Sequence, residues 1–254
     1  MNWEKFNEYQ RRVIEAGQKS GVDVSIYADP KYDAGQMQQI RIGLEGNLDV
    51  SIYADPKYDY GQMSQIRCGL ASGFDVSLYA DTKYDYLQMR HLRKGLESGV
   101  DVNIYADPKY DYGQMKQIRW GLEQGLDVSV YADLKYDAGQ MQEIRLGLKH
   151  GVDVSVYANP KFDWQYPKFD WRQMRQLRKG LESGIDASIY ADFRFDPLQM
   201  RQLRAGLEKG LDVSVYADPK FNFKQMREIR WGLENKQSRP VMKLNKPTGK
   251  GLER

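Results

Sequence analysis

Eight arginines occupy one position of a recurring segment: Arg41, Arg67, Arg93, Arg119, Arg145, Arg178, Arg204 and Arg230. A ladder of guanidinium groups can bind phosphates, because each planar fork presents paired donors. Each of these arginines also falls in the second half of a predicted helix. There a cation is favoured by the helix dipole and can pair with an Asp of the same or the next repeat, so a structural role is the stronger expectation. The column headed by Met37 is soft enough for a thiophilic metal, but a methionine in the first turn of an amphipathic helix is more simply core. The segment ADPKYD lacks the alternating oxygen ligands and terminal Glu of a calcium loop, and helix capping accounts for its second Asp.

The remaining reactive side chains stand alone. His91 and His150 lie in different repeats with no carboxylate or Cys spacing for a metal or a triad, and both are expected on the exposed surface. Cys68 takes a position held elsewhere by Ile42, Lys94 and Trp120, which argues against a catalytic thiol and, as the only cysteine, excludes an internal disulfide. No phosphate loop, dinucleotide fingerprint or zinc spacing is present. The expectation is a protein without catalytic residues, cofactor, metal or small-molecule substrate.

The elements that carry these columns are repeats. Tyr27, Tyr53, Tyr79, Tyr105, Tyr131 and Tyr157 are 26 residues apart, Tyr190 follows after 33, and Tyr216 after 26 again. The longer interval comes from PKFDW written twice, a seven-residue insertion near 160–171. Each unit approximates GLDVSIYADPKYDxxQMxQIRxGLExG, and its second half reads as an amphipathic helix. Asp33 and Gln36 form a capping box that recurs down the chain, Tyr32 and Met37 hold staple positions, and Gly21-type residues supply left-handed C-caps. Gly43 and its equivalents sit inside the helix at a cost of about 1 kcal/mol each, which predicts close backbone approach between neighbouring helices.

The first half of the unit admits two readings. Val22, Val24 and Ile26 alternate with polar residues as a strand would, giving a β/α solenoid like a leucine-rich repeat. Alternatively Asp23 caps a short helical turn with Val22 and Tyr27 as its staple. Stacked carboxylates about 4.8 Å apart in a parallel ladder would repel, which favours the turn. The fold class is therefore all-α: a right-handed superhelical α-solenoid of eight repeats over 22–234, with an N-terminal capping helix at 1–21 and a basic disordered tail at 235–254.

Residues common to all repeats are explained by stacking, so specificity belongs to the positions that vary. Those equivalent to 34, 38 and 42 share a helix face. In the first half they include Tyr60, Tyr86, Arg90, Tyr112, Lys116 and Trp120. Further along they include Trp171, Arg175, Arg201, Phe223, Arg227 and Trp231, and the duplicated segment adds Trp164 and Tyr166. Aromatics and arginine are the residues enriched at interface hot spots. The expected partner is a protein or a protein–nucleic acid complex. Residues 1–160 carry a net charge of −5 and residues 161–254 one of +8, so nucleic acid could engage the basic half. No apolar run is long enough to span a membrane, and a cytoplasmic setting is expected.

The unit YADPKFDW, with QMRQLR and GLE, resembles an uncharacterised repeat of phage and conjugative-element proteins of gut bacteria, over about nine-tenths of the chain. The resemblance implies no established activity. Its setting implies a small factor acting on host or rival machinery, including inhibition of a defence nuclease.

Overall fold

A computed structural model describes residues 2–158 and 169–237, divided into two units, Met1–Lys149 and His150–Arg254. Among the described residues there is no strand, and within each unit consecutive helices pack neighbour to neighbour as α-solenoid repeats. The β/α alternative is thereby set aside. The first unit holds α1 (Glu8–Ser20), α2 (Ala34–Glu45), α3 (Tyr60–Ala71), α4 (Tyr86–Ser98), α5 (Tyr112–Glu123) and α6 (Ala138–Lys149). The second holds α7 (Trp171–Glu182), α8 (Pro197–Leu207) and α9 (Phe223–Gln237), so the last helix runs three residues into the segment read as a tail. The rest of that tail lies outside the described residues.

Local chemistry starts and stops each helix. At α2, Gln36 N donates to Asp33 Oδ1 at 2.8 Å while Asp33 N donates to Gln36 Oε1 at 2.7 Å. Two backbone donors that the helix cannot satisfy internally are paired in this way. The cap helix uses Asn7 and Gln10 for the same box. At the other end of α1, Gly21 adopts φ 76°, Gly21 N donates to Gln18 O at 3.2 Å and Val22 N to Gly17 O at 3.1 Å. That is a Schellman closure, available where a left-handed residue follows the helix. Asn47, at φ 53°, takes the same place after α2.

The ambiguous half-repeat is a 3₁₀ turn, seen at Val24–Ile26, Val50–Ile52, Val102–Ile104 and Val128–Val130 in the first unit. Asp23 caps it, accepting from Ser25 N at 2.9 Å and from the Ser25 hydroxyl at 2.6 Å. The hydroxyl bond, then the backbone bond, hold its carboxyl below the usual range. The turn that Asp23 caps is shorter than the helical turn expected for a Val22–Tyr27 staple. A three-residue turn has no fourth helical position, and Tyr27 instead caps the turn and points into the core, fully buried.

That tyrosine column explains the helical glycines, and it corrects the expectation of backbone contact between helices. A β-carbon on Gly43 would fall 1.9 Å from the Tyr53 hydroxyl oxygen and 2.9 Å from Val50 Cγ1. The absent side chain is the socket for a phenol. Met37, Ile40, Met63 and Ile66 complete the buried stripe.

Repeats are joined by side chains that reach forward to the next copy. Gln36 Nε2 donates to Tyr58 O at 2.6 Å, and the Tyr32 hydroxyl donates to Ala54 O at 2.6 Å. Both acceptors are carbonyls of an irregular segment, which would otherwise lack partners in the interior. In the second unit Gln173 and Gln199 reach Phe195 O at 2.7 Å and Phe221 O at 2.6 Å in the same way.

Candidate partner-binding face

The variable residues that are described lie on the helices at exposed or half-buried positions. In the first unit Tyr60, Tyr86 and Tyr112 begin α3, α4 and α5 and are 62%, 47% and 49% exposed. Arg90 is exposed, and Lys116 and Trp120 are half-buried. A glycine roots two of the tyrosines. A β-carbon on Gly35 would lie 3.0 Å from Tyr60 Cβ, and one on Gly61 would lie 3.0 Å from Tyr86 Cβ. Gly35 and Gly61 were not picked out from the sequence. Their signal is a glycine directly after the first helical residue, which is costly unless a neighbour occupies the space.

Clefts open along this face. One of about 460 Å³ is lined by Gln39, Asp59, Tyr60, Ser64, Gln65 and Tyr86. Another of about 280 Å³ lies between α4 and α5 and includes Arg90, Lys94, Tyr112, Lys116 and Trp120. In the second unit Arg201, Phe223, Arg227 and Trp231 line a cleft of about 340 Å³ between α8 and α9.

Cations stack on the indoles of these faces. Lys116 Nζ lies 4.4 Å from the Trp120 ring centre, with Arg145 at 5.3 Å. In the second unit Arg172 and Arg175 lie 4.8 and 5.0 Å from Trp171, and Arg227 lies 4.8 Å from Trp231. Such contacts favour the ring face and hold long side chains in place before any ligand arrives.

The arginine column is part of the scaffold, but its partners are not the aspartates expected. Arg41 pairs with Glu45 at 2.5 Å and Arg178 with Glu182 at 2.5 Å, one helical turn on. The Nε atoms of Arg67, Arg93 and Arg145 donate back to Gln39, Gln65 and Gln117 at 3.0, 3.1 and 3.0 Å. Arg204 and Arg230 reach Gln176 and Gln202 at 3.2 Å. Gln and Arg thus form a second ladder between repeats.

His91 stands in the glutamine position of that ladder and is not the exposed surface residue expected. Its Nδ1 is buried without a partner. Burial first, then Arg119, Arg90, Lys116 and Lys94, push its pKa down to about 4. His150 is exposed, as expected, and its Nδ1 meets a Glu182 carboxylate oxygen. Cys68 is half-buried, with Arg67 Nη2 3.7 Å from its sulfur.

Trp164 and Tyr166 lie outside the described residues. Among the described residues no three His, Cys, Asp or Glu side chains gather as a metal site, and no helix is long and apolar enough to cross a membrane. No protein-family model, curated protein or solved structure matches the chain.

Proposed function

We propose that the chain is a non-catalytic repeat scaffold that binds a protein partner through the variable face of its helices. The observation that carries this reading is the row of exposed tyrosines, Tyr60, Tyr86 and Tyr112, each at the start of a successive helix. Exposed aromatics beside Arg90, Lys116 and Trp120 combine apolar area with anchored charge, the composition of interface hot spots. Large rings with few torsions lose little conformational freedom on binding. The resemblance to phage and conjugative-element repeats supports a partner in host or rival machinery, with inhibition of a host defence complex as the specific reading. Affinity capture from a gut-bacterial lysate tests it: the intact chain should retain a defined protein, and a chain with Tyr60, Tyr86 and Tyr112 changed to Ala should not. Equal retention by both chains would end the reading.

A second reading rests on the second unit, where Arg201, Arg227 and Trp231 line one cleft. Arginines track a phosphate backbone while an indole stacks on a base. Nucleic-acid affinity of this kind falls steeply with rising salt, whereas capture by the tyrosine row should persist.

A further inference from the structure

The ladder that ties one repeat to the next is broken between α4 and α5. At α2–α3, α3–α4 and α5–α6 the arginine Nε donates to a glutamine on the preceding helix, whereas at α1–α2, where Val13 stands in the glutamine position, Arg41 Nε is also without a partner. At α4–α5 the glutamine position is His91, and both His91 Nδ1 and Arg119 Nε are buried without a hydrogen-bond partner. Arg119 is 7% exposed, and its Nη1 is held by Glu123. Two polar atoms left open at one junction are unusual in an interior where such groups are nearly always paired.

Both residues line the cleft of about 280 Å³, together with Arg90, Lys94, Lys116 and Trp120. No carboxylate lines it. The Arg119 guanidinium is partly balanced by Glu123, whereas Arg90, Lys94 and Lys116 bring charge to the walls without a salt bridge among the described residues. The neighbouring cleft, lined by Asp59 and Tyr60, has a carboxylate and no cation. The cleft between α8 and α9 has the same helix positions but Gln202 and Ala205 in place of His91 and Lys94, and there Arg230 Nε is paired with Gln202. The α4–α5 junction therefore combines the open ladder with a second unpaired atom, His91 Nδ1, and with the extra lysine.

We propose that the α4–α5 cleft binds a phosphate dianion, free or as the terminal group of a phosphate monoester. Arg119 Nε and the Nδ1–H tautomer of neutral His91 donate to its oxygens, and Arg90, Lys94 and Lys116 neutralise its charge. A doubly charged anion with several acceptor oxygens matches two fixed donors flanked by flexible cations better than a carboxylate does. The site overlaps the face proposed for a protein, but it needs no protein to fill it. A failed phosphate titration leaves the partner reading standing, and a failed capture leaves this one standing.

The chain has two histidines and five tryptophans, so ring and indole signals report by residue in an NMR titration of the full chain at neutral pH. Inorganic phosphate should shift His91 and Trp120 saturably, leave His150 unmoved, and exceed sodium chloride at matched ionic strength. His91→Gln, which installs the residue used in other repeats, should keep the fold, close the ladder and weaken the Trp120 response by about tenfold or more, as for loss of a charge-assisted contact. Lys94→Ala should weaken it without closing the ladder. Adenosine monophosphate binding tighter than phosphate identifies a monoester as the ligand; equal binding identifies free phosphate. The absence of a saturable shift with either probe, an equal shift with chloride, or full binding by His91→Gln would each overturn the proposal.

Discussion

The Tyr53 hydroxyl oxygen occupies the space beside Gly43, 1.9 Å from where that residue's β-carbon would be, and donates to Gln39 O at 3.2 Å. The pair joins the 3₁₀ turn of one repeat to the helix of the repeat before it. Tyr79 over Gly69 and Tyr105 over Gly95 repeat the arrangement within the first unit. Burial raises the pKa of each of these phenols, so they are neutral donors at neutral pH.

Gly69→Ala should therefore destabilise the chain although alanine is the better helix former. The new β-carbon would lie 1.9 Å from the Tyr79 hydroxyl and 2.8 Å from Val76 Cγ1, and overpacking of this kind costs about 1–3 kcal/mol. Gly232→Ala is the control, since a β-carbon there meets nothing within 4 Å and should gain up to about 1 kcal/mol of helix propensity. Urea unfolding midpoints of the two variants should move in opposite directions.

Gln88→Ala should loosen one junction. Gln88 Nε2 reaches Tyr110 O at 2.6 Å and Pro108 O at 3.1 Å, and its carbonyl oxygen caps α4 at Asp85 N. Each buried group left unpaired costs about 1–3 kcal/mol. Amide hydrogen exchange should quicken most in α4, α5 and the loop between them; uniform protection across that junction would contradict the role given to this side chain.

His91 predicts a pH dependence of stability. Its pKa is pushed down to about 4 in the folded chain, against about 6.5 for an unperturbed histidine. Between these values the unfolded chain binds more protons, so stability is fully present above the upper one and is lost as pH falls towards the lower. His91→Gln should flatten that part of the profile, measured as unfolding midpoint against pH in chloride buffers.

The tyrosine row should be separable from folding. Changing Tyr60, Tyr86 or Tyr112 to Ala removes a ring that is about half exposed, and for Tyr60 and Tyr86 leaves the β-carbon over Gly35 and Gly61 of the neighbouring helix; surface changes of this kind stay within about 0.5 kcal/mol. Calorimetry should find nearly unchanged melting while partner capture is lost. A large drop in melting temperature would make the row part of the core.

The sequence alone determined what depends on residues within one turn of each other. The period, the Asp33–Gln36 boxes, the left-handed Gly21 closures and the amphipathic stripe are all local, because caps and turns are hydrogen bonds between near neighbours in the chain. The apolar alternation of Val22, Val24 and Ile26 suited a strand as well as a turn, the Asp23 cap and its column of like charges favoured the turn, and the three-residue 3₁₀ form of that turn became visible only in three dimensions. Tertiary structure alone decided the rest. The phenol socket of Gly43, the forward reach of Gln36 to Tyr58, the Gln39–Arg67 ladder and its gap at His91 join residues 10 to 28 positions apart. Such pairings depend on the rotation and rise from one repeat to the next, which no spacing within a single repeat encodes.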